Sequence, residues 1–317
     1  MRRLIVRRLW LAGLTLLGVS VVVFFLVHLT PGDPARAIAG PYASEEVVEA
    51  FRTQYHLDDP IPVQYGRWLW GALRGDFGRS AHFEQSVNSL VFFRLTNTFV
   101  LVGAALLVAV SGGILLGVLA GRRETSRTAR LLMGANLVTA NIPPYLSGLI
   151  LILVFSLTLN LFPSGGMYDL RQPGGLPDLL AHLVLPTIAV SAQPMMVIAR
   201  MTRASILEVS RHDYVLVAQS VGISPLRIAT QYILWNALPP VISVIGLQVG
   251  SLLSGALFAE VVFSWPGLGE LLFRALSATD VLTIQAVTLL IAFTFILVNL
   301  LADLLISFIN PRSRVSE

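Results

Sequence analysis

Six long stretches of mainly apolar side chains constrain the fold of this chain more than any other feature of its sequence. A helix of about 20 apolar residues is long enough to cross the hydrocarbon core of a bilayer. The sequence therefore predicts an all-α polytopic membrane protein with six spans. The stretches are residues 9–29, 98–120, 131–162, 179–199, 240–263 and 282–309.

The composition agrees with a membrane protein and excludes a water-soluble one. Hydrophobic residues make up 55% of the chain, charged residues make up 13%, and the mean hydropathy is +0.75. Soluble domains carry about 25% charged residues, so this chain has too few for a soluble or a disordered protein. The first stretch is too long for the core of a signal peptide, and no small-residue cleavage site follows it, so we expect a retained helix.

Prolines divide two of the stretches. Residues 131–162 are too many for one straight span, and Pro143 and Pro144 interrupt them. We therefore expect a short lead-in before these prolines and a third span of about 20 residues after them. Pro186 and Pro194 are expected to kink the fourth span.

Arginine is concentrated on one side of the predicted topology. Cytoplasmic loops carry an excess of basic residues, so both termini are predicted to be cytoplasmic. The short loops on the other side contain only Arg171 and Arg274. The arginines of the predicted cytoplasmic side are Arg2, Arg3, Arg7, Arg8, Arg122, Arg123, Arg127, Arg130, Arg200, Arg203, Arg211, Arg227, Arg312 and Arg314.

A polar segment between the first two spans predicts a small subdomain on the outer face. Ser44, followed by two glutamates, is expected to start an amphipathic helix over residues 44–55. Trp68, Trp70 and Phe77 give this segment side chains to bury. The predicted domains are a first helix (1–30), an outer subdomain (31–95), a transmembrane core (96–310) with a cytoplasmic loop (203–239), and a cytoplasmic tail (311–317).

Two residue types are absent, and their absence limits the chemistry. The chain has no Cys, and all 22 of its basic Lys and Arg residues are Arg. Without Lys it cannot form a standard phosphate-binding Walker A loop, so ATP would have to bind to another chain. Without Cys it has no thiolate nucleophile or thiolate metal site. No metalloprotease or serine-hydrolase motif is present either, and we predict no catalytic site and no resident metal.

The loop between the fourth and fifth spans has the local signals of two short helices around a turn. Asp213 is expected to cap the first helix, and Gly222 to end it in the left-handed conformation that glycine accepts. Ser224 and Pro225 are expected to start the second helix, with proline in its first position. The small side chain of Ala218 would allow a close approach of another backbone.

This loop resembles the "EAA" loop of ABC-importer permeases, of which Ala218, Gly222 and Leu234 match the pattern. Further motifs in the same order make the chain similar to B-type permease subunits of the dipeptide, oligopeptide and nickel importers, over nearly its whole length. These motifs are Thr-Pro-Gly-Asp-Pro at 30–34, Leu-Asp-Asp-Pro at 57–60, Gly-Asp-Phe-Gly at 75–78, Phe-Ser-Trp-Pro-Gly-Leu-Gly at 263–269 and Asn-Pro-Arg at 310–312.

The resemblance implies a MetI-like six-helix permease in the bacterial cytoplasmic membrane. It also implies four partners: a homologous second permease, two ATPase subunits that bind ATP and Mg, and an external substrate-binding protein. No cofactor is expected in this chain itself. In the family a short helix of the loop docks on the ATPase, which here corresponds to residues 213–222. The coupling residues that we predict are Asp213, Tyr214, Val217, Ala218 and Gly222.

Polar and helix-breaking residues within the spans are candidates for the pathway or its gate. Glu260 has two interpretations, a solvated charge at a helix end or a part of the outer gate. Small residues on the fifth span, including Gly246, Gly250 and Gly255, would meet the partner permease or line the pathway. The pathway and gate candidates are Asn141, Pro143, Pro144, Gln193, Ser251, Ser254 and Glu260.

The cargo stays open at this point between dipeptides, oligopeptides, glutathione, nickel chelates and sugars. If the cargo were nickel, His56 and His82 in the outer subdomain would be the first residues to test. A secondary transporter without an ATPase is the alternative of another class. Asn299 and Asp303 on the sixth span are its only suggestive pair, and a structural role for them is favoured.

Overall fold

The computed structural model describes residues 2–29, 33–40, 42–80, 82–121, 127–169, 171 and 174–309. Within those residues every regular element is a helix. The helices are α1 (Arg2–Leu29), α2 (Pro34–Ala39), α3 (Glu45–Gln54), α4 (Ile61–Leu73), α5 (Val87–Gly121), α6 (Arg127–Asn141), α7 (Pro144–Leu151), α8 (Leu176–Ser210), α9 (Asp213–Ser220), α10 (Pro225–Arg227), α11 (Trp235–Val262), α12 (Leu268–Ser277) and α13 (Val281–Ile309). A π-helical segment (Ile152–Thr158) extends α7, and another (Ile228–Leu234) joins α10 to α11.

The helices form two compact units. The first unit comprises Met1–Phe99 and Pro266–Leu297, and the second comprises Val100–Trp265 and Val298–Glu317. Five helices are long and apolar enough to cross a membrane in the part of the chain that is described. They are Val6–Phe25, Val87–Gly121, Leu176–Ser210, Pro225–Val262 and Val281–Ala302.

The predicted third span is shorter than expected. After the non-helical Pro143, α7 and its π-helical extension run only from Pro144 to Thr158, and Tyr145–Thr158 is their apolar part. Fifteen helical residues extend roughly 22 Å, less than the ~30 Å of a bilayer core. The expected length of about 20 residues is therefore wrong. The helix ends early because Asn160 adopts a left-handed backbone with a φ of 50°.

In the first unit, the short helices after α1 are held by caps and ion pairs. The hydroxyl of Ser44 accepts a hydrogen bond from the main-chain N–H of Val47, which confirms the predicted helix start. Arg52 on α3 pairs with Asp33 at 2.6 Å. Trp68 is half-buried and contacts the ring of Phe24, but Trp70 is 58% exposed and carries Arg74 over its ring, so the expected burial of Trp70 is wrong.

Buried polar groups also join distant segments within the first unit. The hydroxyl of Ser80 donates to the carboxylate of Asp280, which also accepts from the hydroxyl of Thr283 at 2.7 Å. The carboxylate of Glu270 is 6% exposed and forms ion pairs with Arg94 and Arg274. Because each buried acceptor has a donor, these groups fix the start of α13 and the position of α12 without leaving an unpaired charge.

In the second unit, α8 lies at the centre and packs against α5, α6, α7 and α11. Its helix continues through Pro186 and Pro194, both of which are buried, so neither proline ends it. Glycines on one face of α5 allow the contact with α8. A β-carbon added to Gly113 would lie 2.8 Å from the side chain of Ile198, and one added to Gly121 would lie 2.9 Å from that of Ile206.

Candidate functional site

The connection between α8 and α11 begins with α9, a helix of eight residues. Its N-terminal cap is His212, whose side chain makes no capping bond, and Asp213 is already the first helical residue. The expectation that Asp213 caps this helix is therefore wrong, because its backbone has entered the helix. Its carboxylate still lies in the first turn, where a negative charge interacts favourably with the helix dipole.

A glycine turn ends α9 as predicted. Gly222 has a φ of +79°, which a β-carbon would strain, and its N–H donates to the carbonyl of Gln219 at 3.1 Å. The N–H of Ile223 then donates to the carbonyl of Ala218 at 3.1 Å, which closes the turn. Pro225 is the first residue of the next helix, as expected.

The second helix of this connection differs from the expectation of a short helix. α10, the π-helical segment and α11 form one continuous helix, Pro225–Val262, of 38 residues. Pro239 and Pro240 lie inside it, and neither can donate a main-chain hydrogen bond. About two turns before them, the carbonyl of Tyr232 accepts from the side-chain amide of Asn236 at 2.6 Å. The helix continues through these prolines although neither can donate to the carbonyl four residues before it, Trp235 or Asn236.

One face of α9 is packed against the following helix. Val215 and Ala218 are 0% and 3% exposed, and they form a buried cluster with Ile228 at 5%. The hydroxyl of Tyr214 also lies 3.4 Å from the carbonyl of Tyr232. Ala218 therefore holds α9 in place within this chain. Ala218 was expected to allow the close approach of another backbone, and in the structure the neighbours that pack on it are Val215 and Ile228 of its own chain.

The opposite face of the connection is apolar and exposed, and we call it the loop surface. Surface-exposed apolar clusters of this kind are typical of interaction sites. Tyr214 and Val217 were predicted from the sequence, whereas the other three members were missed because their apolar character alone does not tell an outer face from an inner one. The loop surface consists of Tyr214, Leu216, Val217, Val221 and Leu226, which are 42–76% exposed.

Three of the pathway candidates line a cavity of about 210 Å³ in the second unit. Gln193 on α8 and Ser251 and Ser254 on α11 all line it, and the hydroxyl of Ser251 donates to Oε1 of Gln193 at 3.3 Å. Ile142, Ser147 and Phe258 complete part of the wall, which is mainly apolar with a few polar groups. The cavity can therefore hold a small solute against both hydroxyl and amide groups.

Pro143 and Glu260, the other candidates whose side chains are described, do not line this cavity. Pro143 is exposed outside it, and the side chains of Asn141 and Pro144 lie outside the described residues. Glu260 is 0% exposed, so the interpretation as a solvated charge at the end of α11 is wrong. The turn that follows is closed by the N–H of Trp265, which donates to the main-chain carbonyl of Glu260 at 2.9 Å.

Among the described residues, the histidines and acids do not form a metal site. His56 and His82 are exposed, and no group of three or more potential ligands is found among the described residues. In the first unit, desolvation by burial raises the pKa of Tyr55, so its phenol stays protonated in the physiological range. The nearby carboxylate of Asp33 raises the pKa of Arg52, which remains charged.

Comparison with known families matches two segments that together cover nearly all of the chain. Residues 113–315 match the family described as binding-protein-dependent transport system inner membrane component. Residues 1–101 match its N-terminal companion, described as the N-terminal region of binding-protein-dependent transport system membrane components. The first match includes the loop surface and the cavity described above.

Individual relatives agree with this match. The chain is 37% identical to the dipeptide transport system permease protein DppB of Escherichia coli K12, over 99% of both chains. It is also 37% identical to the glutathione transport system permease protein GsiC of Salmonella paratyphi A, over 95% of both. Among solved structures, an inward-facing MetNI methionine ABC transporter matches with a TM-score of 0.56 at 18% identity, covering 70% of this chain and 96% of that one. The fold is therefore the MetI-like permease fold.

Proposed function

Because the chain belongs to the family of binding-protein-dependent transport system inner membrane components, we propose that it forms half of the translocation pathway of an ATP-driven importer for short peptides. The chain is a multi-pass inner-membrane permease component of an ABC importer. Membership of this family implies ATPase and binding-protein partners. We propose that the full assembly adds one homologous permease, two ATPase subunits and one external binding protein.

The proposal of a peptide cargo rests on the relatives that match along their whole length. One of them is named as a dipeptide permease and another as a glutathione permease, and glutathione is itself a short peptide. The cavity beside Gln193 has the chemistry to pass such a solute, because hydroxyl and amide groups can exchange hydrogen bonds with peptide groups. An apolar wall beside them tolerates different side chains.

The proposal that this chain couples to an ATPase rests on the loop surface. Its exposed apolar side chains stand on a helix that the buried Val215, Ala218 and Ile228 hold in place, so a partner would meet a preformed surface. The absence of Lys removes the standard ATP-binding loop from this chain, which is consistent with nucleotide and Mg binding to separate subunits. We place this surface and both termini on the cytoplasmic side, on the basis of the arginine distribution.

ATP-driven uptake by the complete importer in proteoliposomes tests this proposal. Labelled Ala-Phe would be the cargo, and Val217→Asp would place a charge at the centre of the loop surface, where Val217 is 59% exposed. We expect Val217→Asp to abolish uptake, because an unpaired carboxylate would have to be desolvated against the ATPase. Ala204→Asp, at an exposed position on α8, is the matched control and should leave uptake unchanged.

Two results would contradict the proposal. Normal ATP-driven uptake with Val217→Asp would remove the loop surface from the coupling role. Uptake of nickel chelates or sugars without uptake of any dipeptide or tripeptide would overturn the peptide cargo while leaving the coupling intact. The amount of the assembled complex, measured by co-purification of the ATPase in the absence of nucleotide, shows whether loss of uptake follows loss of docking.

A further inference from the structure

A second cavity, of about 450 Å³, lies within the first unit, away from the cavity beside Gln193. Its volume falls in the range of roughly 300–1,000 Å³ that is typical of small-molecule sites. Residues of α1 to α4, of the segment after α4 and of the start of α13 line it. Phe24, Trp68 and Phe77 supply aromatic walls, and the hydroxyl-bearing ring of Tyr55 adds a fourth.

One buried acceptor in this cavity has no donor within the described part of the chain. Gln64 on α4 is only 7% exposed, and its amide nitrogen donates to the carbonyls of Leu57 and Asp59, both at 2.8 Å. These two bonds fix the orientation of the amide, which leaves Oε1 buried without a hydrogen-bond donor. A buried acceptor without a donor is unfavourable, so this amide would gain a bond from a ligand N–H group that reaches Oε1 as the surrounding side chains adjust.

Charges of both signs line the same cavity. Asp76 contributes a carboxylate, whose Oδ1 accepts from the N–H of Gly78 at 3.1 Å. Arg67 and Arg79 contribute guanidinium groups, of which Arg67 also pairs with Asp59 and Arg79 with the carbonyl of Glu84. Each guanidinium has five N–H donors, so both can bond a further acceptor. The lining is thus complementary to a ligand with one positive and one negative end.

We propose that this cavity binds a short zwitterionic peptide with an aromatic or large aliphatic side chain, as a site for cargo on the permease before it enters the pathway. The ammonium end and its neighbouring N–H meet Asp76 and Oε1 of Gln64. The carboxylate end meets the guanidinium groups, and the side chain packs on Trp68. This inference rests on the proposed peptide cargo and adds to it a binding site outside the cavity beside Gln193.

Three features favour a zwitterionic peptide over other small molecules. A simple anion would leave Asp76 opposed to it, and a simple cation would be opposed by Arg67 and Arg79. A purely apolar ligand would leave Oε1 of Gln64 unsatisfied. A peptide satisfies all of these groups at once, and the aromatic walls account for the predicted preference for a large side chain.

Binding to the assembled permease–ATPase complex in nanodiscs, without the external binding protein, tests this inference. The probe is Ala-Phe, followed by calorimetry, and N-acetyl-Ala-Phe-amide is the comparison because it lacks both charges. We expect saturable binding of Ala-Phe and at least about tenfold weaker binding of the blocked peptide, which loses both charged ends.

Matched variants on the same helix locate the site. Trp68→Ala should weaken binding about tenfold or more, since it removes a large aromatic contact, and Trp70→Ala should leave it unchanged because Trp70 is not part of the cavity. Asp76→Asn should also weaken binding, and it is suitable as a second variant because Asp76 is exposed and its replacement keeps the bond to Gly78. Trp68→Phe should restore most of the affinity that Trp68→Ala loses.

The outcomes separate this inference from the proposed function. If the complete importer takes up Ala-Phe but the complex without the binding protein does not bind it, the outer site is wrong and the peptide cargo stands. If neither uptake nor binding occurs, the peptide cargo itself is wrong. Binding that Trp68→Ala and Trp70→Ala weaken equally, or that Asp76→Asn leaves unchanged, also overturns the assignment of this cavity.

Discussion

Gly117 of α5 lies directly against Thr202 of α8. A β-carbon added to Gly117 would be 2.8 Å from the γ-methyl of Thr202 and 2.7 Å from the carbonyl of Ala199. Gly113 and Gly121 lie one turn to either side on the same face and make comparable contacts with α8. Glycines spaced by four residues allow two membrane helices to approach closely, so this face fixes α5 against α8 in the second unit.

Gly117→Ala is therefore expected to destabilise the protein. The added methyl group would force the two helices apart, at a cost of about 1–3 kcal/mol. The control is Gly103→Ala on the same helix, where nothing lies within 4 Å of an added β-carbon. The midpoint of thermal unfolding in detergent should fall for Gly117→Ala and stay within error for Gly103→Ala. Equal midpoints for the two variants would contradict this view of the contact.

The buried carboxylate of Glu270 pairs with two arginines that differ in their exposure to solvent. Arg94 is 19% exposed, whereas Arg274 is 60% exposed. We expect Arg94→Gln to cost about 3–5 kcal/mol, because it leaves a largely buried carboxylate with only a solvated partner. Arg274→Gln should cost less than about 1 kcal/mol, as is usual for an exposed pair. Chemical denaturation of the purified protein measures both, and the prediction is wrong if Arg274→Gln is the more damaging change.

The cavity beside Gln193 can be closed by one side chain. Ser254→Trp would fill much of the 210 Å³ and should block uptake of labelled Ala-Phe, while the complex still assembles and hydrolyses ATP. Leu247→Trp is the matched control, since Leu247 is 69% exposed on the same helix and does not line the cavity. Should Ser254→Trp transport at the normal rate, the solute does not pass this cavity.

The predicted orientation can be measured with single cysteines because the chain contains none of its own. Val217→Cys, on the loop surface, should react with a membrane-impermeant maleimide only after the cells are opened. Thr53→Cys, at an exposed position of α3, should react in spheroplasts of intact cells. The opposite pattern would reverse the topology and remove the loop surface from the compartment where ATP is available.

Hydrophobicity alone predicted most of the membrane helices, but it could not predict how they end or pack. The third span was overestimated because its length was taken from apolar character, whereas the left-handed backbone of Asn160 ends the helix. The glycines of α5 were passed over although Gly113, Gly117 and Gly121 repeat every four residues, a spacing typical of close helix contacts in membranes. Which glycines are closely packed depends on the neighbouring helix.

In the candidate site, local chemistry was predicted better than burial. Gly222 and Pro225 were assigned correctly, since the left-handed turn and the first helical position admit few residue types. Asp213 was misassigned as the cap by one position, which is the usual uncertainty of a helix boundary. Glu260 was left between two interpretations because burial at the end of a span depends on how the rest of the fold packs around it, which the local sequence does not show.

The helix from Pro225 to Val262 has a consequence for how this protein would move. It extends roughly 57 Å, and it contains both the packing partner of α9, Ile228, and two residues of the cavity wall, Ser251 and Ser254. A tilt imposed where α9 packs would reach those two serines along a single helix, and Pro239 and Pro240 lie between the two places as the point where that helix can bend. How far the cavity opens would then depend on the stiffness of this proline-containing turn rather than on a relay of side-chain rearrangements.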